Sequence, residues 1–237
     1  MISTHPPTTL QALDADMIPI QGGTFWMGSD LDLSWGEAPK HKVQVSDFEL
    51  SRFPICQGLW HSVMGSHPAR FKHPLLPVES ASWEKCQMFI RRLNDISGQF
   101  FRMPTEAEWE YAALGGLNNN QTFTYAGSND MAEIGWSVKN AFNTTHTGKE
   151  KLPNRLGIVG MSGNVYEWCQ DWHDLAFFQN CLDNGKVTNP EGPKTGSNRV
   201  IHGGSWYGSV RGLRVSYRSS EHPEYGILDI GFRIVRD

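Results

Sequence analysis

Residues 102–116 read RMPTEAEWEYAALGG and contain the most clearly marked helix of the chain. Thr105 and Glu108 have the capping-box spacing, in which each side chain accepts a hydrogen bond from the other residue's backbone N–H. Gly115 and Gly116 mark the end, because glycine readily adopts the left-handed conformation that closes a helix. The stretch therefore predicts a helix that begins at Thr105 and stops at the glycine pair. Arg102 is expected to form a partly buried ion-pair network with the neighbouring carboxylates, Glu106, Glu108 and Glu110.

A longer helix is predicted just upstream, in the stretch WEKCQMFIRRLNDIS. Its apolar residues recur with helical spacing at Cys86, Phe89, Ile90 and Leu93. Ser82 is the expected N-cap and Gly98 the expected stop. Nearer the start, MIPIQGGTFWMGSD and HKVQVSDFELSRFPI have the short alternating pattern of β-strands. The order of these elements predicts an α+β protein.

Composition indicates one loop-rich domain. The chain has 237 residues with 24 glycines and 9 tryptophans, and the stretches 115–160 and 183–198 are polar and rich in turn-forming residues. Isolated aromatics, including Phe123, Tyr125, Trp136 and Phe142, are expected to pin the first of these loops to the body. A net charge of -4 without any basic run argues against nucleic acid as a partner.

No apolar stretch of the sequence is long enough to predict a membrane span, and no signal peptide is visible at the N-terminus. The location of the protein is left open, with a secreted or surface-anchored parent among the alternatives.

The cysteines are Cys56, Cys86, Cys169 and Cys181, and they form no CxxC pair. This spacing argues against a structural zinc. Cys86 lies on the apolar face of the predicted longer helix, where a thiol usually acts as a small apolar side chain. A Cys169–Cys181 disulfide and two free thiols both remain open alternatives, because an even count permits pairing without specifying it.

Five ordered stretches carry a resemblance to a known family: IPIQGGTFWMGS, RMPTEAEWEYAALGG, PNRLGIVGMSGNVYEW, RVIHGGSW and IGFRIVRD. Together they resemble the sulfatase-modifying, or formylglycine-generating, enzyme family. The resemblance implies a C-type lectin-like fold of small twisted antiparallel sheets, two main helices and much irregular loop. It covers residues 18–237 as one domain and leaves residues 1–17 as an N-terminal extension.

The resemblance also implies a catalytic site that this sequence lacks. Enzymes of the family hold copper with two cysteine thiolates in the segment that follows GGS, because soft sulfur ligands suit Cu(I). Here that segment, residues 203–233, contains no cysteine. The protein is therefore expected not to be an enzyme, and the alternatives are a divergent oxidase of the formylglycine-generating type or an accessory domain.

A calcium site is implied by the matched stretch GMSGNVYE. In this interpretation Gly160, Gly163 and Val165 offer carbonyl oxygens and Glu167 offers a carboxylate to the cation. Gly160 departs from the asparagine of the best-known family pattern. The alternative is a turn in which Glu167 pairs with an arginine.

The segment 206–230 alternates two kinds of residue. Arg211, Arg214 and Arg218 are expected to hold the backbone through charge-assisted hydrogen bonds, while tyrosine, serine and glycine between them suit an adaptable recognition surface. The segment is similar to the variable proteins of diversity-generating retroelements, in which miscopied adenines turn asparagine codons into codons for residues of these types. This implies a protein or cell-surface ligand, whereas the alternative is an ordinary family member with polar loops. The predicted ligand-binding residues are Trp206, Tyr207, Gly208, Ser209, Gly212, Tyr217, Ser219, Ser220, His222, Tyr225, Ile227 and Leu228.

Overall fold

The computed structural model describes residues 5–30, 36–66, 68–117 and 123–237. Residues 1–4 of the predicted N-terminal extension and 118–122 of the predicted loop lie outside the described residues. In chain order the helices are α1 Leu10–Asp14, α2 Gln57–Met64, α3 Trp83–Ser97, α4 Glu106–Ala113, α5 Met131–Ile134 and α6 Phe177–Asp183, with short 3-10 helices at Gly148–Glu150 and Val210–Leu213. The strands are β1 Met17–Ile20, β2 Gly23–Met27, β3 His41–Val45, β4 Phe48–Ser51, β5 Phe101–Arg102, β6 Tyr166–Trp172, β7 Val187–Thr188, β8 Arg199–His202, β9 Arg218–Glu221, β10 Ile230–Gly231 and β11 Val235–Arg236.

Both predicted helices form at their predicted caps. Ser82 accepts a hydrogen bond from the backbone of Lys85 and precedes α3, which ends at Gly98 in the left-handed conformation. The reciprocal capping box of Thr105 and Glu108 is present at the start of α4. Helix α4 ends at Ala113, and the glycine pair follows with positive φ at both positions. The local chemistry of the sequence therefore sets the ends of both helices.

Three small sheets accompany the helices. Their strand orders are β1-β4-β11-β5, β10-β6-β8-β9 and β2-β3-β7. Most pairs are antiparallel, as expected, but β10 runs parallel to β6 and β7 runs parallel to β3. Strand β11 lies between β4 and β5, so residues near the C-terminus join two earlier parts of the chain.

Two clusters of buried apolar residues form the core. The first cluster lies around α2 and α3 and includes Trp60, which stacks on Phe89 at 5.0 Å. The second surrounds the fully buried Trp109 of α4. Leu13 and Met17 belong to the first cluster, so part of the predicted N-terminal extension packs on the domain.

The fold decides between the two alternatives for the cysteines and corrects the expectation for Phe142. Cys169 and Cys181 are both buried and unpaired, so the disulfide does not form and free thiols are the observed state. Phe142 is 84% exposed, so the expectation that it pins the long loop is wrong. Its backbone, like that of Asn143, has positive φ and belongs to a turn that directs the ring outward. No helix within the described ranges has the length and apolar character needed to cross a membrane.

Candidate ligand-binding surface

The C-terminal segment, residues 206–230, is held at both ends by one sheet. Before the segment, β8 pairs with β6, and Trp168 of β6 lies opposite Ile201. At its end, β10 pairs with the start of β6, where Ile230 lies opposite Tyr166. Strand β9 falls inside the segment and pairs with β8. The side chains between these strands are therefore displayed from a fixed frame.

Arg218 anchors the middle of the segment to α4. Its Nε and Nη2 bind the two carboxylate oxygens of Glu106 at 2.8 and 2.7 Å, and both residues are almost fully buried. His202 Nε2 lies 2.9 Å from the same carboxylate. Burial by itself would raise the pKa of Glu106, but the Arg218 charge and His202 outweigh it and hold the pKa at about 2. Glu106 therefore remains ionised and ties β9 to the helix.

Arg214 provides a second anchor. It forms an ion pair with Glu37, a carboxylate that has no solvent exposure, and Ser216 donates to the other oxygen of Glu37 at 2.8 Å. The predicted framework role therefore has a structural counterpart for Arg214 and Arg218. Arg211, in contrast, is exposed.

The predicted ligand-binding residues divide by exposure. Tyr207 is 67% exposed and Tyr225 is 56% exposed, whereas Trp206 is only 6% exposed. The Trp206 ring packs edge-on against Phe71 at 5.5 Å and also contacts the Tyr207 ring. Trp206 therefore supports the surface from below. Ser209 is exposed, Gly212 is buried, and the half-buried positions are Gly208, Tyr217, Ser219, Ser220, His222, Ile227 and Leu228.

A polar cluster beneath this surface was not identified from the sequence. Ser205 donates a hydrogen bond of 2.6 Å to Asp229, and burial raises the pKa of that carboxyl. Burial also raises the pKa of Tyr166, and the neighbouring Tyr217 and Asp229 add to the effect. A Cβ on Gly212 would lie 3.1 Å from the Tyr166 hydroxyl, so a larger residue would crowd this cluster. The cluster offers neutral hydroxyl groups for hydrogen bonding and contains no thiol.

All four thiols of the protein lie in its interior. Burial raises the pKa of Cys56, raises that of Cys181 to about 11, and raises those of Cys86 and Cys169 well above their usual value. Reactive and metal-binding cysteines instead have a lowered pKa and an accessible sulfur. The existing thiols therefore give the C-terminal segment no substitute for the cysteines it lacks.

The surroundings of Glu167 do not fit the predicted calcium site. Its two oxygens accept from Arg233 Nε and Nη2 at 2.6 and 2.7 Å, and Trp109 Nε1 donates to one of them at 2.6 Å. All three side chains are buried. Glu167 is the single carboxylate among the predicted ligands Gly160, Gly163, Val165 and Glu167, and the adjacent guanidinium repels a cation. The arginine pair that the sequence left as the alternative is the arrangement observed.

Known proteins share this architecture. The chain is 26% identical to Treponema denticola variable protein 1, whose structure superposes with a TM-score of 0.83 over 93% of this chain and 94% of that one. PvdO from Pseudomonas aeruginosa is 22% identical, with a TM-score of 0.78 over 93% and 94% of the two chains, which shows a shared fold. These structures confirm the C-type lectin-like fold and the resemblance to a variable protein.

The sequence is also similar to proteins with different described roles. The chaperone protein LppX of Paenibacillus barcinonensis is 29% identical over 93% of this chain and 89% of its own length. The formylglycine-generating enzyme of Streptomyces coelicolor is 32% identical over 75% of this chain and 60% of its own length. Residues 3–237 match the family described as the sulfatase-modifying factor enzyme 1-like domain. Since this match spans nearly the whole sequence, the chain belongs to the sulfatase-modifying factor enzyme 1-like family.

Proposed function

We propose that the protein is a non-catalytic ligand-binding protein and that the surface between Tyr207 and Leu228 contacts a protein or cell-surface partner. The observation that carries this proposal is the contrast between neighbouring positions of one segment. Arg218 is buried in an ion pair with Glu106, while Tyr207 and Tyr225 project into solvent. The fold is thus secured by residues other than those on display.

The exposed residues have the chemistry of a recognition surface. Tyrosine gives a large amphipathic contact area with few rotatable bonds, and serine and glycine give adaptable hydrogen bonding. The Tyr225 ring lies 4.9 Å from that of His222, which forms an aromatic pair near the end of the segment. Similarity to a variable protein supports this interpretation.

The composition of the segment also supports sequence variation at its exposed positions, as the retroelement resemblance implies. The genomic locus tests this part of the proposal. A nearby copy of the codons for residues 206–230 that differs at adenines is the expected result. A locus without such a copy would refute the proposed sequence variation and leave a binding surface of fixed sequence.

A matched pair of variants tests the division between displayed and supporting residues. The double variant Tyr207→Ser, Tyr225→Ser should melt close to the parent, because surface substitutions usually change stability by less than about 0.5 kcal/mol each. Trp206→Ser should melt far lower, because losing a large buried aromatic costs roughly 3 to 5 kcal/mol. Equal losses in the two variants would contradict the assignment.

Binding itself is tested with a displayed library randomised at the exposed and half-buried positions Tyr207, Ser209, Ser219, Ser220, His222 and Tyr225. Selection against a purified protein target should yield folded binders. Those binders should lose affinity when the selected residues revert. A library randomised on the outer face of α3 serves as the control. Equal yields from the two libraries would refute the claim that the C-terminal surface is specialised.

The alternative function is a divergent oxidase that acts on a protein cysteine. One observation favours it, namely the 32% identity to the formylglycine-generating enzyme of Streptomyces coelicolor. An oxygen-uptake assay with added copper and a cysteine-containing peptide separates the two functions, and turnover would overturn the binding-only proposal. An accessory domain is the third function. It predicts that the double tyrosine variant changes no interaction of the protein and that the library yields no binders.

A further inference from the structure

A second candidate site lies in a cleft of about 710 Å³ that is lined by no residue of the C-terminal segment. Its walls come from α3, the end of β6 and the loop at residues 189–194. Asn189 fixes this loop, because its side chain accepts from the backbone of Ser46 and donates to the Ser46 hydroxyl, both at 2.8 Å. The cleft is therefore bounded by anchored elements.

Arg199 is the most unusual residue of this cleft. Its guanidinium carbon lies over the rings of Trp172 at 3.5 Å and Trp83 at 3.9 Å. Nη1 donates to the carbonyl of Gln170 at 2.6 Å, while the buried Nε has no partner among the described residues. The two rings fix the plane of the guanidinium, and because Nε is buried and Nη1 is paired, Nη2 is the donor left for a ligand.

No carboxylate among the described residues forms an ion pair with Arg199, although four acidic side chains line the cleft. Three of these carboxylates are already paired: Glu108 and Asp237 with Arg102, and Glu191 with Lys194. The fourth, Asp47, accepts a hydrogen bond from a backbone N–H. Burial lowers the pKa of Arg199 to about 10, and Asp171 only partly opposes this effect. The guanidinium therefore carries a charge that the described residues do not neutralise.

A second cation, Arg91, lines the same cleft from α3 and has no ion-pair partner among the described residues. Gln87 lies one helical turn before it on α3 and lines the same cleft. Gln87 Nε2 donates to Gln170 Oε1 at 2.9 Å, and the Gln170 carbonyl binds Arg199. This contact leaves Gln87 Oε1 and Gln170 Nε2 without a partner within the described ranges. An acceptor and a donor thus line the same cleft as the two cations.

We propose that this cleft binds a small hydroxylated carboxylate, with its carboxylate on Arg199 and Arg91 and its hydroxyl groups on Gln87 and Gln170. A charge-assisted hydrogen bond from a guanidinium to a carboxylate is stronger than one between neutral groups. The four cationic and four acidic side chains of the lining balance, which favours a singly charged ligand over a dianion. The site is independent of the surface proposed above to bind a macromolecular partner.

The test follows the side-chain signals of arginine and glutamine by NMR during titration at constant ionic strength. Acetate supplies the carboxylate alone, glucose supplies hydroxyl groups alone, and glucuronate supplies both. Glucuronate should shift the Arg199 Nε–H and the two glutamine amide signals in a saturable way, acetate should do so more weakly, and glucose should leave them unchanged. Inorganic phosphate at mildly alkaline pH, where it is mainly a dianion, is the control for a doubly charged ligand.

Arg91→Gln should weaken glucuronate binding by about threefold or more, a loss of the size expected for one exposed charge contact. Arg92→Gln is the matched control. It removes the same charge from the next position of α3, but Arg92 does not line the cleft and instead contacts Met64. Arg199→Lys keeps the charge without the planar guanidinium that lies between the two tryptophan rings, and it should weaken binding by about tenfold, if it folds. If Arg199→Lys does not fold, the result for Arg91→Gln decides the question.

Three results would overturn the proposal: no saturable shift with glucuronate, equal effects of Arg91→Gln and Arg92→Gln, or tighter binding of phosphate than of glucuronate.

Discussion

The Arg218–Glu106 pair gives the sharpest test of the idea that buried arginines secure the displayed surface. We predict that Arg218→Gln leaves the Glu106 carboxylate in the interior with His202 as its remaining side-chain partner. Removing one partner of a buried ion pair typically costs about 3 to 5 kcal/mol. For a chain of this size each kcal/mol lowers Tm by roughly 2 to 4 °C, so a fall of roughly 10 °C is expected.

The dependence on pH identifies the cause of this loss. In the parent, the pKa of Glu106 is about 2 against an ordinary value of 4.5, so the pair stabilises fully above pH 4.5 and progressively less as pH falls toward 2. In Arg218→Gln, burial acts without the opposing guanidinium, which raises the pKa of Glu106 and lets the carboxyl become neutral in mild acid. The stability difference between parent and variant should therefore be largest at neutral pH and shrink as pH falls.

Urea unfolding at several pH values measures this difference, and Arg211→Gln is the control. Arg211 belongs to the same segment but is exposed, so its replacement should change the free energy of unfolding by less than about 0.5 kcal/mol. Equal losses in the two variants would refute the framework role of Arg218. A loss that stays constant with pH would show that lost packing, including the contact with Phe178, explains the effect.

Three further predictions concern the scaffold. Thr105→Ala should lower the free energy of unfolding by about 1 kcal/mol through loss of the helix cap, and unchanged stability in urea would mean that the cap contributes nothing. Burial raises the pKa of Asp16 from 3.8 to about 7, so the folded protein holds a proton on this carboxyl that the unfolded chain releases. The free energy of unfolding should therefore fall as pH rises from about 4 to 7, by up to about 1.4 kcal/mol per pH unit. Asp16→Asn should flatten this slope in urea titrations. Glu167→Gln should lower Tm equally in calcium and in chelator, because it disrupts the pair with Arg233, and a larger loss in calcium would restore the metal site.

Local features of the fold were predictable from sequence because their causes lie within a few residues. Ser82, Thr105 and Gly98 set helix ends through contacts inside one or two turns. The expected ion-pair network of Arg102 shows the limit of this reasoning. Arg102 binds Glu108 at 2.7 Å, but Glu106 pairs with Arg218, which is 112 positions away. Spacing along one helix cannot identify a partner brought by another strand.

The sequence likewise predicted only part of the candidate surface. The alternation of arginine with small and aromatic residues indicated the segment and predicted Tyr207, Tyr217 and Tyr225 as exposed binding residues. Tyr207 and Tyr225 are exposed, whereas Tyr217 is half-buried. It did not show that Trp206 turns inward, because a tryptophan beside a tyrosine suits either role. Glu110 was expected to belong to the ion-pair network but accepts from the backbone of Gly28, and burial raises its pKa to about 8. Such environments depend on depth in the core, which sequence spacing does not report.

The position of β11 between β4 and β5 affects how fast the chain can fold. Val235 lies opposite Leu50 on one side and Arg102 on the other, so the first sheet closes only when residues far apart in sequence meet. Bringing distant residues together costs loop-closure entropy before any contact compensates, and proteins rich in such contacts fold slowly. The C-terminal segment lies inside the loop that this step closes. Stiff or aggregation-prone replacements there should therefore change the refolding rate and the yield of native protein even where they leave the final stability unchanged.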